Sequence, residues 1–121
     1  MEDDIIDAKT GKPRRHDGRD AWAFVTREAA RALGDLGPHV APIRWDRDPG
    51  APSVGGYALL VMERKSPDAQ GRFEGVWVEV TGQEGERWEG VLDNQPTWIR
   101  GVSSGDKVAF GLDHVMLARG G

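Results

Sequence analysis

The residues from Gly75 to Phe110 constrain the fold more than any other stretch of the chain. Three tryptophans there, Trp77, Trp88 and Trp98, recur 11 and then 10 residues apart. Each sits in a short apolar run, with turn-forming residues between the runs. Evenly spaced short runs of this kind predict an antiparallel β-meander. The expected strands run from Gly75 to Thr81, Arg87 to Asp93, Thr97 to Val102 and Lys107 to Phe110. Gln83-Glu84-Gly85-Glu86, Asp93-Asn94-Gln95-Pro96 and Ser103-Ser104-Gly105-Asp106 supply the turns.

Successive side chains on a strand point to opposite faces. Val76, Val78 and Val80 therefore share one face, and Trp77, Glu79 and Thr81 share the other. Trp98 is in phase with Arg100 and opposite Thr97 and Ile99. Trp88 is in phase with Gly90 and Leu92, which places it in the core. If the valines line the core, Trp77 and Trp98 stand on the outer face beside charged residues. Two readings of that face follow. It is a protein-binding patch with an aromatic centre and a charged rim. Or residues 1–45 cover it, with Trp22 and Trp45 supplying the cover, and the tryptophans form a second small core.

Upstream, Tyr57 to Met62 is a continuous apolar run of strand length and reads as a central, buried strand. Residues 1–19 are polar and read as an arm, flexible or held as a loose first strand, with Ile5-Ile6 as its apolar pair. Ala21 to Val25 reads as a strand, by its aromatic and β-branched content, over the alternative of one helix from Asp20 to Leu33. Thr26 is placed to N-cap a short helix over Arg27 to Leu33, with Ala29, Ala30 and Leu33 on one face. Val40 to Trp45 is a further candidate strand, restricted to an edge by Pro42. Leu112 to Leu117 closes the ordered chain as a short strand or helix. Residues 20–119 thus form one α+β domain ending in the meander of residues 75–110. Its sheet is expected to be mostly antiparallel and strongly curled, or a small open barrel, with one short N-terminal helix.

With 121 residues the chain suits one domain with a modest core. No apolar run approaches the length of a membrane-spanning helix, and the acidic Met1-Glu2-Asp3-Asp4 start lacks the chemistry of a secretory signal. A cytoplasmic location is expected. The absence of cysteine excludes disulfides, thiolate metal sites and cysteine nucleophiles. Net charge is −4 with acids and bases interspersed, and the one dense basic cluster, Lys12 to His16, is short. Nucleic-acid binding is not expected, because it needs a basic face.

No constellation for catalysis emerges. His16, His39 and His114 lie in different segments, without metal-ligand spacing. Asp113-His114 reads as a surface pair. Ser53, Ser66, Ser103 and Ser104 sit in turns, away from any base. Glu79 and Glu89 lie on neighbouring strands and would form an acid/base pair only if close enough to couple. The plainer reading is a solvated outer face balanced by Arg87 or Arg100. No cofactor is called for.

The same stretch resembles the YegJ-like family of bacterial proteins, domain of unknown function 2314. The resemblance rests on Val76-Trp77-Val78-Glu79-Val80, Gly90-Val91-Leu92-Asp93-Asn94-Gln95-Pro96, Ile99 and Gly105-Asp106-Lys107-Val108-Ala109-Phe110. Tyr57 to Arg64 matches the strand before this block, so the likeness runs over about residues 57–117. The family's closing Asp-Trp is Asp113-His114 here, and its His-Met before the lead tryptophan is Gly75-Val76. The resemblance implies a fold and no mechanism. Related small domains occur among immunity proteins of bacterial toxin systems, which implies a binding role.

These observations predict a non-catalytic domain that docks a protein partner, as an immunity or regulatory protein of a toxin or defence system. Trp77, Glu79, Asp93, Asn94, Trp98 and Arg100 are the expected binding residues. The alternative is a small-ligand or carbohydrate module that stacks its ligand on aromatic residues of the curled sheet. A homo-oligomer is compatible with either.

Overall fold

The computed structural model describes residues 5–7, 22–64, 73–97, 99 and 102–120. Its elements, in chain order, are β1 (Ile5–Asp7), β2 (Trp22–Phe24), α1 (Arg27–Leu33), β3 (Tyr57–Arg64), β4 (Phe73–Glu84), β5 (Arg87–Leu92), β6 (Lys107–Gly111), a 3₁₀ turn (Leu112–His114) and β7 (Leu117–Arg119). The strands form one curled sheet in the order β1-β6-β5-β4-β3-β2. β7 shares the outer edge of β3 with β2, pairing with Tyr57 to Leu59 while β2 pairs with Met62 to Arg64. All pairings are antiparallel except β1 with β6. The result is a nearly closed, barrel-like sheet with an unsealed seam and one short helix.

The β4–β5 hairpin shows the expected turn chemistry. Its loop is Gly85-Glu86, and Gly85 has φ +61; among the described residues only glycines have positive φ. A positive φ at the first loop position lets the turn follow the strands' right-handed twist. A bulge between Val80 and Gly82 then re-aims the end of β4.

The interior of the curl is apolar. Leu60, Met62, Val76, Val78, Val80, Leu92, Val108 and Phe110 are all at most 2% exposed, and Trp22, Phe24 and Trp88 close the cluster. The valine parity and the burial of Trp88 agree with the sequence. Gly90 is required here: a Cβ would fall within contact distance of Val78 Cγ1 and 2.5 Å from the Glu79 carbonyl oxygen.

A second apolar layer lies on the other face of β3 and β4. Leu59, Val61, Phe73 and Met116 pack there with Val25, Ala30 and Leu36, joined by the half-buried Val40, Ile43, Trp45 and Trp77. Residues 25–45 therefore cover this part of the outer face. Trp45 belongs to the cover, whereas Trp22 lies in the interior.

Several local expectations are corrected. Residues 40–45 form no strand. Pro42 removes a ladder donor, and the Arg27 guanidinium takes the Arg44 and Arg47 carbonyls instead. Among the described residues of the third meander segment, Thr97, Ile99 and Val102 lie in no strand. The Glu74 carboxylate accepts from the Thr97 and Ile99 N–H groups, replacing a ladder. In α1, N-capped by Thr26 Oγ1 as expected, only Ala30 is buried, and Leu33 is 55% exposed. Seven residues make two turns, so the helix presents little more than one residue to the sheet. His114 is buried rather than superficial, because Leu112–His114 winds as a 3₁₀ turn that swings the ring toward Phe24.

Candidate functional site

β4 outruns its neighbour. β5 pairs with β4 only from Val78 to Glu84, so Phe73 to Trp77 presents an edge. An open edge invites pairing with other chains, and loops occupy this one. Gly75 N–H donates to the His39 carbonyl at 3.0 Å. Trp77 N–H donates to Asn94 Oδ1 at 2.7 Å, and Trp77 O accepts from Asp93 N–H at 2.8 Å. Gln95 Oε1 accepts from Ser104 N–H, and Asp106 Oδ2 accepts from Ser103 N–H. Asn94 and Asp106 thus hold the backbone of the loops that flank β4 and β6.

This geometry brings four of the sequence-predicted residues together. Trp77 and Asn94 touch directly, Asp93 is bonded to Trp77 through the backbone, and Glu79 is two positions on from Trp77 on the same face. Glu79 and Asp93 are exposed, and Asn94 is half-buried. Trp98 and Arg100 lie outside the described residues. Trp77 is only half open: its ring packs on the second apolar layer and carries the Arg119 guanidinium 5.2 Å from its centroid.

Sequence reasoning missed the residues that accompany this group. Register places Arg119, Tyr57, Glu79, Val91 and Lys107 opposite one another in a single transverse row over β7, β3, β4, β5 and β6. Strand spacing makes that row roughly 19 Å long. It lies on the outer face, one step along the strands from the Leu117-Leu59-Trp77 row. Tyr57 and Val91 are partly buried and the three charged residues exposed. Tyr57 was read only as part of a buried strand, and Arg119 lies 62 positions away from it in sequence, beyond any local signal.

Glu74 was missed as well. It is 6% exposed, and both carboxylate oxygens accept backbone N–H bonds, at 2.6 Å from Thr97 and 3.2 Å from Ile99. Charge-assisted bonds of this kind are the stronger class, and here they hold the backbone of Thr97 and Ile99. Its phase with Val76, Val78 and Val80 marks it as inward-pointing, a signal legible once the strand is started at Phe73.

Glu79 and Glu89 do not face each other. Val91 is the cross-strand partner of Glu79, and the bulge sets Glu89 opposite Gly82 with Arg87 at 3.6 Å. His114 Nδ1 accepts from Gly111 N–H at 3.0 Å, so that nitrogen carries a lone pair, and Asp113 Oδ1 at 3.5 Å is not its hydrogen-bond partner. Among the described residues no group of three or more His, Asp or Glu gathers to hold a metal, and no helix is long and apolar enough to cross a membrane.

Two cavities adjoin the outer layer. One, of about 300 Å³, lies between residues 42–49 and residues 116–118, over Leu59. A shallower one, of about 230 Å³, lies within residues 34–45. Neither is lined by Trp77.

The family model for uncharacterised proteins conserved in bacteria, DUF2314, matches residues 53–116. The chain belongs to this family. The match spans β3 to β6 and the 3₁₀ turn, and so contains Tyr57, Glu74, Trp77, Gly90, Asn94 and Asp106. The residues that carried the resemblance now have physical roles: Gly90 admits Val78, Asn94 ties the loop to β4, and Asp106 closes the turn before β6. The covering segment from Val25 to Asp48 and the final strand β7 lie outside the match. No curated protein and no solved structure matches the chain significantly.

Proposed function

We propose that this protein is a non-catalytic docking domain that binds a protein partner through the uncovered end of its outer sheet face. The observation that carries the reading is the transverse row Arg119-Tyr57-Glu79-Val91-Lys107, flanked by the half-open Trp77. Tyrosine, tryptophan and arginine are the residue types enriched at interface hot spots. A rigid sheet presents them with little ordering cost, since their backbone is already fixed by the ladder. Opposite charges within the row would set the partner's orientation more than its affinity.

The toxin or defence setting, as an immunity or regulatory protein acting in the cytoplasm, is part of this proposal and rests on the family likeness described from sequence. The alternative, a sugar or planar ligand stacked on Trp77, meets the Arg119 guanidinium already lying over that ring. Protein docking is therefore the better-supported use of the face.

The test is affinity capture from a bacterial lysate with the wild-type chain and a Tyr57→Ala/Glu79→Arg variant in parallel. Glu79 is exposed and Tyr57 only partly buried, so folding is expected to survive. A partner retained by the wild type and lost by the variant supports the proposal. Equal retention of every captured protein by both would overturn it.

A further inference from the structure

We propose that the cavity between residues 42–49 and the β3–β7 pair is a binding site for a small amphipathic carboxylate, one short acyl tail with a single anionic head. The site is separate from the docking row and does not depend on it. Its volume, about 300 Å³, lies at the lower end of the range for small-ligand sites, roughly 300–1,000 Å³, so the tail must be short. Ile43, Leu59 and Met116 line it with apolar surface, while Arg44, Arg47 and Asp48 add charge, two cations against one anion.

The charges are not equally available. Arg44 Nε lies 3.3 Å from Asp46 Oδ1, and Asp48 Oδ1 accepts the Gly50 N–H at 2.8 Å. The Arg47 guanidinium makes no ion pair or hydrogen bond among the described residues. One uncommitted guanidinium beside an apolar lining matches a monoanion with an apolar tail, since the planar fork suits a carboxylate in bidentate fashion. A cation would meet the uncommitted Arg47 guanidinium, and a fully polar ligand would leave the lining unused.

The walls are tied in place from three directions. Arg27 Nη2 donates to the Arg47 carbonyl at 2.6 Å and the Arg44 carbonyl at 3.3 Å, and its guanidinium lies 5.1 Å from the Trp45 ring centroid. Ala118 N–H donates to the Pro49 carbonyl at 3.1 Å, and Met116 N–H to the Leu59 carbonyl at 2.9 Å. The cavity is thus framed by backbone bonds, which lowers the ordering cost of binding.

The test is a titration of the full ¹⁵N-labelled chain with hexanoate, hexylammonium and hexan-1-ol, read by amide chemical shifts. Hexanoate is expected to bind saturably, shifting the Ile43, Leu59 and Met116 amides, at least about tenfold more tightly than hexylammonium. Arg47→Gln should weaken hexanoate about tenfold, as loss of a charge-assisted bond does, and leave hexan-1-ol unchanged. Arg31→Gln, an exposed position in α1, is the control and should change nothing. Absence of saturable hexanoate binding, shifts centred elsewhere, equal affinity in Arg47→Gln, or equal loss in Arg31→Gln would each overturn the proposal.

Discussion

The two faces of β4 differ more than their shared backbone suggests. On the inner face Val76, Val78 and Val80 are at most 1% exposed, sealed by the curled sheet together with Ile99, Val102 and Val115. On the outer face the same strand carries Gly75, Trp77, Glu79 and Thr81, and exposure rises steadily from Phe73 toward the hairpin. The segment from Val25 to Trp45 covers the first part of that face and stops at Trp77. One face is closed by the curl of the sheet and the residues packed inside it. The other is closed only as far as a separate segment reaches, and the remainder is left exposed.

This contrast can be broken by mutation. The largest effect is expected inside: Leu60→Ala, at a position with no exposure, should cost about 3–4 kcal/mol, read from the urea midpoint. Tyr57→Ala, on the same strand but facing out, should cost less than about 1 kcal/mol. Comparable losses would mean that the outer row is as enclosed as the interior. Gly90→Ala should follow at about 2–3 kcal/mol, because its new Cβ meets Val78 and the Glu79 carbonyl. An unchanged midpoint would show that β4 and β5 approach less closely than described.

Glu74→Gln comes next, at about 1–3 kcal/mol. One amide oxygen can still accept a bond, but an NH₂ group then confronts the second backbone donor. The amide shifts of Thr97 and Ile99 should move most. Thr26→Ala tests the cover and should have the smallest effect, about 1 kcal/mol, with faster amide exchange through residues 27–33 and no change in the inner strands. If the inner strands exchange faster as well, the two layers are one cooperative unit.

The inner face was legible in sequence, and the outer face only partly so. Alternation placed Val76, Val78, Val80, Trp77 and Trp88 correctly, because face assignment on a strand is a local property. Thr26 and Gly85 were legible for the same reason: a cap and a hairpin turn are fixed within a few residues. The third meander segment was misread because its apolar residues have strand spacing while its donors are taken by Glu74, 23 and 25 positions earlier. The run from Val40 to Trp45 was misread because Pro42 removes a ladder donor and Arg27, far back in sequence, claims the Arg44 carbonyl. The row that joins Arg119, Tyr57, Glu79, Val91 and Lys107 depends on the register of five strands, which no single segment encodes.

The most direct test of the central claim is hydroxyl-radical footprinting of the free chain against its complex with the captured partner. Tyr57 and Trp77 should lose oxidation on binding while Trp45 and Met116, in the covered layer, should not change. Protection that falls on Trp45 and leaves Tyr57 reactive would contradict the claim.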